Sequence, residues 1–297
     1  MIRLFLSLTS NVLKRRGVLK LAVLLYATAT HFFVKKGSIL AEKPDQQPYM
    51  LSSVVNALRI MNSFTVKKPT KGVTELADEL GISKSAVSRL LSTLASEGYV
   101  LKEPTTQKYS LGLQILKLNS VVTSQLEINH AAEAIIRELA KSTGEAALIS
   151  VLEDEIVYIE QIECRHKEPI LPLVGHRSPV HCTSAGKLLL AYYETERLHQ
   201  VVRRGLTSYT AKTITEKEVL QKQLMEIRKE QICCCESEYL EGLICLSAPI
   251  RNYMNCVVAA ITIMGPIHRI NEHTHQKLMN KLTRAAKEIS RELGYIG

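Results

Sequence analysis

TELADELGISKSAVSRLLSTLASE, residues 74–97, reads as two helices joined by a tight turn. Thr74 is the candidate N-cap of the first helix, and Leu76, Ala77 and Leu80 place apolar groups on one of its faces. Gly81 supplies a left-handed residue to stop that helix, and Ile82 can turn back into the core. Ser83 offers an oxygen to cap the second helix. There Val87, Leu90, Leu91 and Leu94 recur at i, i+3, i+4 and i+7, so that stripe is expected to be buried. Ser83, Lys84, Ser85, Ser88 and Arg89 lie off the stripe at the N-terminal end. Hydroxyls, a lysine and an arginine in that position suit a helix that enters a major groove and meets base edges and phosphates. The pair is therefore read as a helix-turn-helix. An ordinary helical hairpin with a solvated polar face is the plainer alternative.

The flanking residues favour the first reading. Tyr99–Lys102 is β-like, Glu103–Thr106 is a turn with Pro104, and Gln107–Leu111 alternates with Tyr109 and Leu111 on one side. Lys102 and Lys108 flank the turn, as in the basic wing of a winged helix that contacts phosphates. Upstream, Val54, Ala57, Leu58 and Met61 give one more amphipathic helix, with Ser53 as its cap. Charge is placed accordingly. The net charge is +9. Residues 50–112 hold 8 basic and 5 acidic groups, whereas residues 113–297 hold 22 of each. The basic surplus downstream of residue 49 thus belongs to the candidate DNA reader.

Four segments are expected: an N-terminal extension (1–49), a winged helix-turn-helix domain (50–112), a linker helix (113–124) and an effector-binding domain (125–297). The extension is awkward. Lys14-Arg15-Arg16 precedes a mostly apolar run, Val18–Val34, which at 17 residues is short of the roughly 20 that a spanning helix needs. It also resembles a signal peptide with Ala27-Thr28-Ala29 as the cleavage site. Export would remove a DNA reader from DNA. The extension is therefore read as a start assigned too early, the functional chain beginning near Met50, with a membrane anchor or a plain tail as alternatives. A cytoplasmic protein without a membrane partner is expected.

After the wing, Leu113–Thr123 reads as the linker helix. Ile128–Ser142 follows, with Ala131, Ala134, Ile135 and Leu139 on one face and Gly144 at its end. Ala147–Leu152 and Ile156–Ile162 form a hairpin around Glu153-Asp154, and Ile170–Val174 is a third strand. Ser184–Tyr193 and Thr195–Arg204 are helical, and Thr215 with Glu218 forms a capping box for a helix to Lys229. Ile232–Cys235, Leu243–Ile250 and Cys256–Met264 are strands, and Asn271 caps a final helix that ends at Gly294. The order β-β-β-α-α-α-β-β-β-α makes the fold class α+β, an antiparallel sheet with packed helices.

At 174–191 the chain reads VGHRSPVHCTSAGKLLLA. Together with Ser53–Leu111 and with Gly242–Pro266, which contains GLICLSAPI and VVAAITIMGP, it resembles the IclR family of bacterial transcriptional regulators. The resemblance covers about residues 50–297. It implies a GAF-like effector domain, a homodimer or homotetramer, a palindromic double-stranded DNA operator and a small organic-acid effector, often from carbon-source breakdown. It implies no cofactor. It places ligand contacts at Ser184, Ala185, Cys235, Cys245, Thr262 and Met264. Two of these depart from the family pattern: an acid is usual at Cys235 and a hydroxyl is common at Met264. That implies a less hydroxylated or larger effector, and Glu236 would replace the acid only if its strand shifted register. Gln231 replaces the family's helix-ending glycine.

The residues point the same way without the resemblance. Thr183, Ser184, Ala185 and Gly186 open a helix with small side chains, and its first amides and dipole favour a carboxylate. A plain solvated helix start is the alternative. Lys187 lies at the wrong end of the dipole and needs an acid or a ligand nearby. The seven cysteines, Cys164, Cys182, Cys233, Cys234, Cys235, Cys245 and Cys256, show no zinc spacing, so no metal site is expected. Cys233 and Cys235 are expected to share one strand face, with the pocket as the candidate side, and Cys234 to take the other. Catalysis is not expected, because adjacent His181 and Cys182 diverge at a strand end and cannot form an activated pair. The alternatives to the regulator are a winged-helix interaction module and a redox-responsive regulator that senses through its cysteines.

Overall fold

The computed structural model of the chain describes residues 50–124, 127–163 and 172–296. The readings made for residues 1–49, for Cys164 and for the side chain of Ala131 lie outside what is described.

Helix α1 (Ser52–Ser63) takes in Ser53, which is thus a helical residue rather than the cap. Its buried residue is Ile60, whereas Val54 and Leu58, expected in the core, are exposed. The helix carries apolar side chains on more than one face, and the core takes Ile60 with Phe64 one turn further on. Helix α2 (Val73–Leu80) starts earlier than Thr74: Gly72 makes the extended entry, and the Glu75 carboxylate accepts from its N–H at 3.4 Å. Gly81 ends α2 at φ +66° and donates to the Ala77 carbonyl. Ser83 caps α3 (Lys84–Ser96), accepting from the Ala86 N–H at 3.2 Å. Strands β1 (Val100–Lys102) and β2 (Tyr109–Leu111) pair antiparallel as the wing, with Lys102 opposite Tyr109. Tyr109 is buried in the core built by Leu76, Val87 and Leu91, but Leu111, two residues along, has run past that core and is exposed.

Two helices follow, α4 (Gln114–Ser124) and α5 (Glu127–Thr143). The buried stripe of α5 is Ile128, Ala132, Ile136, Leu139 and Ala140. Ala134 is exposed, because the helix is turned to bury the larger Ile136. Next come β3 (Ala146–Leu152), β4 (Ile156–Ile162) and β5 (Arg177–Ser178). The third strand is thus not at Ile170–Val174. Ile170 and Leu171 lie outside the described residues, and Pro172–Val174 is not strand. Val174 and Gly175 form a turn, with Gly175 at φ +83° and its N–H donating to the Tyr158 carbonyl at 2.7 Å. Helices α6 (Ser184–Leu190), α7 (Thr195–Arg203) and α8 (Lys217–Glu230) precede β6 (Cys233–Glu236), β7 (Leu243–Arg251), β8 (Val257–Pro266) and α9 (Glu272–Glu292). Glu216, not Thr215, is the entry residue of α8, and no side chain caps it. Asn271 does cap α9, accepting from His273 and Thr274.

The sheet is antiparallel throughout, in the order β5-β4-β3-β8-β7-β6. Both of its faces are covered, so β8 reads as one nearly continuous apolar run rather than an alternating one. On one side Ile261 and Ile263 pack with Ala147, Ile149 and Leu246 against α5 and α9. On the other, Ala260 and Met264 join Leu148, Cys233 and Cys235 under α6 and α8. The whole is α+β, a winged helix-turn-helix followed by a GAF-like unit.

Gln231 ends α8 in the left-handed region at φ +59°, the conformation that favours glycine. We therefore expect Gln231→Gly to stabilise the protein by about 0.5–1 kcal/mol, as removal of left-handed strain outweighs glycine's greater unfolded entropy. Urea denaturation with an unchanged slope would measure it.

Candidate functional site

The polar start of α3 is open to solvent. Ser83, Lys84, Ser85, Ser88 and Arg89 are all exposed, while Val87 and Leu91 on the opposite face are fully buried. Ser83 is partly committed, since its oxygen caps the helix and lies 3.1 Å from the Ser85 hydroxyl. Lys102 and Lys108 are exposed on the wing, with the Lys102 ammonium 5.7 Å from the centre of the Tyr109 ring. Lys71 is set apart: it is buried, it bridges to Tyr109 of the wing through the backbone, and its ammonium holds Glu79 at 2.5 Å.

The second site is a cavity of about 450 Å³, its mouth included, between the start of α6, the strands β6, β7 and β8, and the Ser237–Leu240 segment. Thr183, Ser184, Ala185, Cys235, Cys245, Thr262 and Met264 line it together. Gly186 does not. A Cβ there would lie 2.2 Å from the Val180 carbonyl oxygen, so this glycine is needed for close backbone packing and not for a ligand. Thr183 lines the wall, but its hydroxyl proton goes to the Pro179 carbonyl at 2.7 Å.

Ser184, Ser247 and Thr262 form a buried chain of hydroxyls with 2.7 Å between successive oxygens. Alternation on β7 and β8 puts Ser247 and Thr262 on this face and Leu246 and Ile263 on the other. Three hydroxyls have three protons, and two are used within the chain. One remains: when the bonds run in one direction along the chain it is left at an end, at Ser184 or Thr262, both of which reach the cavity, and only when both ends donate inward does it stay on Ser247.

Lys187 is fully buried beneath this wall. Its ammonium donates to both Glu238 oxygens at 2.5 Å and to Gln223 Oε1 at 2.7 Å. Burial opposes its charge, but Cys235 and the Glu238 carboxylate beside it hold it above its ordinary range. The acid of the site is therefore Glu238. Glu236 is exposed and paired with Lys212, and its strand keeps register, with Cys235 opposite Cys245. Cys233 and Cys235 do share a buried face, with sulfurs 3.8 Å apart, and Cys234 is exposed. Cys233 does not line the cavity; it packs in the core below it. Burial pushes the Cys182 thiol up to about 12, which keeps it protonated. Its neighbour His181 is engaged through Nε2 with the Thr207 carbonyl at 3.0 Å, and burial lowers its affinity for a second proton.

Residues 120–291 match the family of the bacterial transcriptional regulator IclR C-terminal domain, and residues 53–104 match the IclR helix-turn-helix domain. The chain belongs to the IclR family. It is 32% identical over 253 residues to the HTH-type transcriptional regulator KdgR of Escherichia coli, covering 84% of this chain and 96% of that protein. It is 29% identical to the regulator XynR of the same organism, covering 83% and 98%. The crystal structure of an IclR regulator from Alicyclobacillus acidocaldarius superposes with a TM-score of 0.72 at 26% identity, covering 83% of this chain and 100% of that one. As an IclR-family member the protein is an effector-controlled, DNA-binding transcriptional regulator and not an enzyme. Among the described residues, no helix is long and apolar enough to cross a membrane, and no cluster of side chains is arranged to hold a metal.

Sequence reasoning missed Tyr158, Ser237, Glu238 and Tyr239 in the cavity wall, and Ser247 behind it. Two signals were present. A lysine inside the apolar run Ala185–Leu190 requires a buried acid, and a serine at the centre of the apolar strand LICLSAPI requires a polar neighbour.

Proposed function

We propose that the cavity receives a small organic acid and that its occupancy changes how tightly the winged helix holds a palindromic operator, most simply one controlling carbon-source catabolism. The observation that carries this reading is the Ser184–Ser247–Thr262 chain, with its one spare proton beside the first amides of α6. A buried carboxylate must be met by donors or costs several kcal/mol, and here donors converge on one wall. Cys235, Cys245 and Met264 supply soft apolar surface around them. A thermal-shift screen of organic acids tests the reading, since a ligand at 100 times its Kd adds about 2.7 kcal/mol. Failure of every acid to stabilise the protein would overturn it.

On the DNA side, Lys84 and Arg89 contact the operator from α3, with Ser83, Ser85 and Ser88 between them and Lys102 and Lys108 on the backbone. Arg89→Ala is expected to weaken operator binding by about 1–3 kcal/mol and to relax specificity at one position. Lys108→Ala should weaken all sequences alike and lower the salt slope by about one. Binding titrations at several salt concentrations separate the two, and an unchanged Arg89→Ala affinity would rule out the groove assignment.

The protein works as a homodimer or homotetramer in the cytoplasm, where its operator is. Helix α4 and the residue before it expose Leu113, Leu116, Leu118 and Val122, more apolar surface than an isolated linker carries. Joining two such helices would set two reading helices on the two halves of a palindrome. Sedimentation should show no monomer at micromolar concentration, and Leu116→Glu with Leu118→Glu should produce one. A wild-type monomer would refute the assembly.

A further inference from the structure

Among the described residues that line the cavity, Glu238 is the one charged side chain. Glu238 stands in the cavity wall, whereas its counter-ion, the Lys187 ammonium, is fully buried and takes no part in the lining. The pair is thus a buried dipole with its negative end toward the ligand. A carboxylate has lone pairs for about four hydrogen bonds. The Glu238 side chain accepts two, both from Lys187. The three donors of Lys187 are matched by the two Glu238 oxygens and Gln223, so the pair is complete without a ligand and holds the acid in place. The acid is also fixed along its backbone. The Thr213 hydroxyl donates to the Glu238 carbonyl at 2.6 Å, and the Thr210 hydroxyl to the Ser237 carbonyl at 2.6 Å. Glu238 is therefore an acceptor set rigidly on a wall that otherwise offers hydroxyls, thiols and apolar groups.

We propose that Glu238 selects the effector: it takes a monocarboxylate whose other end carries a hydrogen-bond donor, such as a hydroxyl, and it rejects a dicarboxylate. This rests on the organic-acid reading above and adds the chemistry of the ligand's second end. A hydroxyl meeting Glu238 makes a charge-assisted hydrogen bond, whereas a second carboxylate meets like charge in a site where water is scarce. The apolar terminus of an unsubstituted acid leaves that acceptor facing no donor.

The test uses three acids with one skeleton, hexanoate, 6-hydroxyhexanoate and adipate, titrated calorimetrically into the full chain. The hydroxy acid should bind about tenfold or more tightly than either of the others. Glu238→Gln removes the charge but strands Lys187, so the companion variant Glu238→Gln with Lys187→Met keeps the core neutral. In both variants adipate should gain at least about tenfold relative to 6-hydroxyhexanoate. If the three acids keep the same order in wild type and variants, Glu238 is not the selector. If none of them binds the wild type or either variant, the organic-acid reading itself falls, and the selector falls with it.

Discussion

Lys187→Met is expected to destabilise the C-terminal α+β unit by about 3–5 kcal/mol, because it leaves the Glu238 carboxylate buried without its partner. Lys187 is fully buried and the Glu238 side chain is only 8% exposed, so solvent screens the pair little. Most of that loss should return when both partners are replaced. Glu238→Gln added to Lys187→Met removes the stranded charge, and a neutral pair of similar volume often matches or exceeds a buried ion pair in stability. Denaturant unfolding of the wild type, both single variants and the double variant closes the cycle, with an expected coupling of at least about 3 kcal/mol, since the double variant recovers most of what either single variant loses. Single variants that unfold at the wild-type midpoint would mean that Lys187 and Glu238 do not share a buried ion pair in solution.

The second large effect concerns the response to ligand. Ser184→Asp is expected to abolish effector control while leaving operator affinity within about twofold of wild type, because Ser184 is no part of the winged helix that holds the DNA. The new carboxylate would occupy the donors at the start of α6 and face the Ser247 hydroxyl, which now lies 2.7 Å from Ser184 Oγ. It would act as a permanent competitor for the ligand's own carboxylate. Ser184 is buried, so folding of the variant must be checked by its thermal midpoint. Thr262→Val is the gentler companion. It keeps the volume and removes one end of the hydroxyl chain, and should weaken the acid by about tenfold, the value of one hydrogen bond to a charged group. Operator release followed against acid concentration reads both variants. A normal response in Ser184→Asp would place the ligand elsewhere.

Much of the protein was determined by local sequence. The helix-turn-helix followed from an apolar period of 3.6 broken by Gly81 and restarted by the Ser83 cap, all within one short stretch. Five of the six strands of the large sheet followed from short apolar runs between turn residues, the exception being the third, expected at Ile170–Val174 and found at Arg177–Ser178. These signals depend on a residue and its near neighbours, so they can be read along the chain.

Tertiary structure decided which of several apolar faces is used and which distant polar groups meet. Helix α1 could have buried Val54 and Leu58, and α5 could have buried Ala134. Packing chose Ile60 and Ile136, because a helix with apolar residues on adjoining faces turns toward whichever set fills the core. The acid of the cavity shows the same limit. In the sequence Lys187 needs an acid or a ligand nearby, and Glu236 can take the place of the family's missing acid only if its strand shifts register. The acid is Glu238, two residues beyond, since β6 keeps its register and turns Glu236 out to Lys212, while the chain bends back after Ser237 at φ +55° and carries Glu238 in over Lys187. A contact across 51 residues has no local signature in one sequence. It exists only once the sheet, the helix and the turn have been brought together.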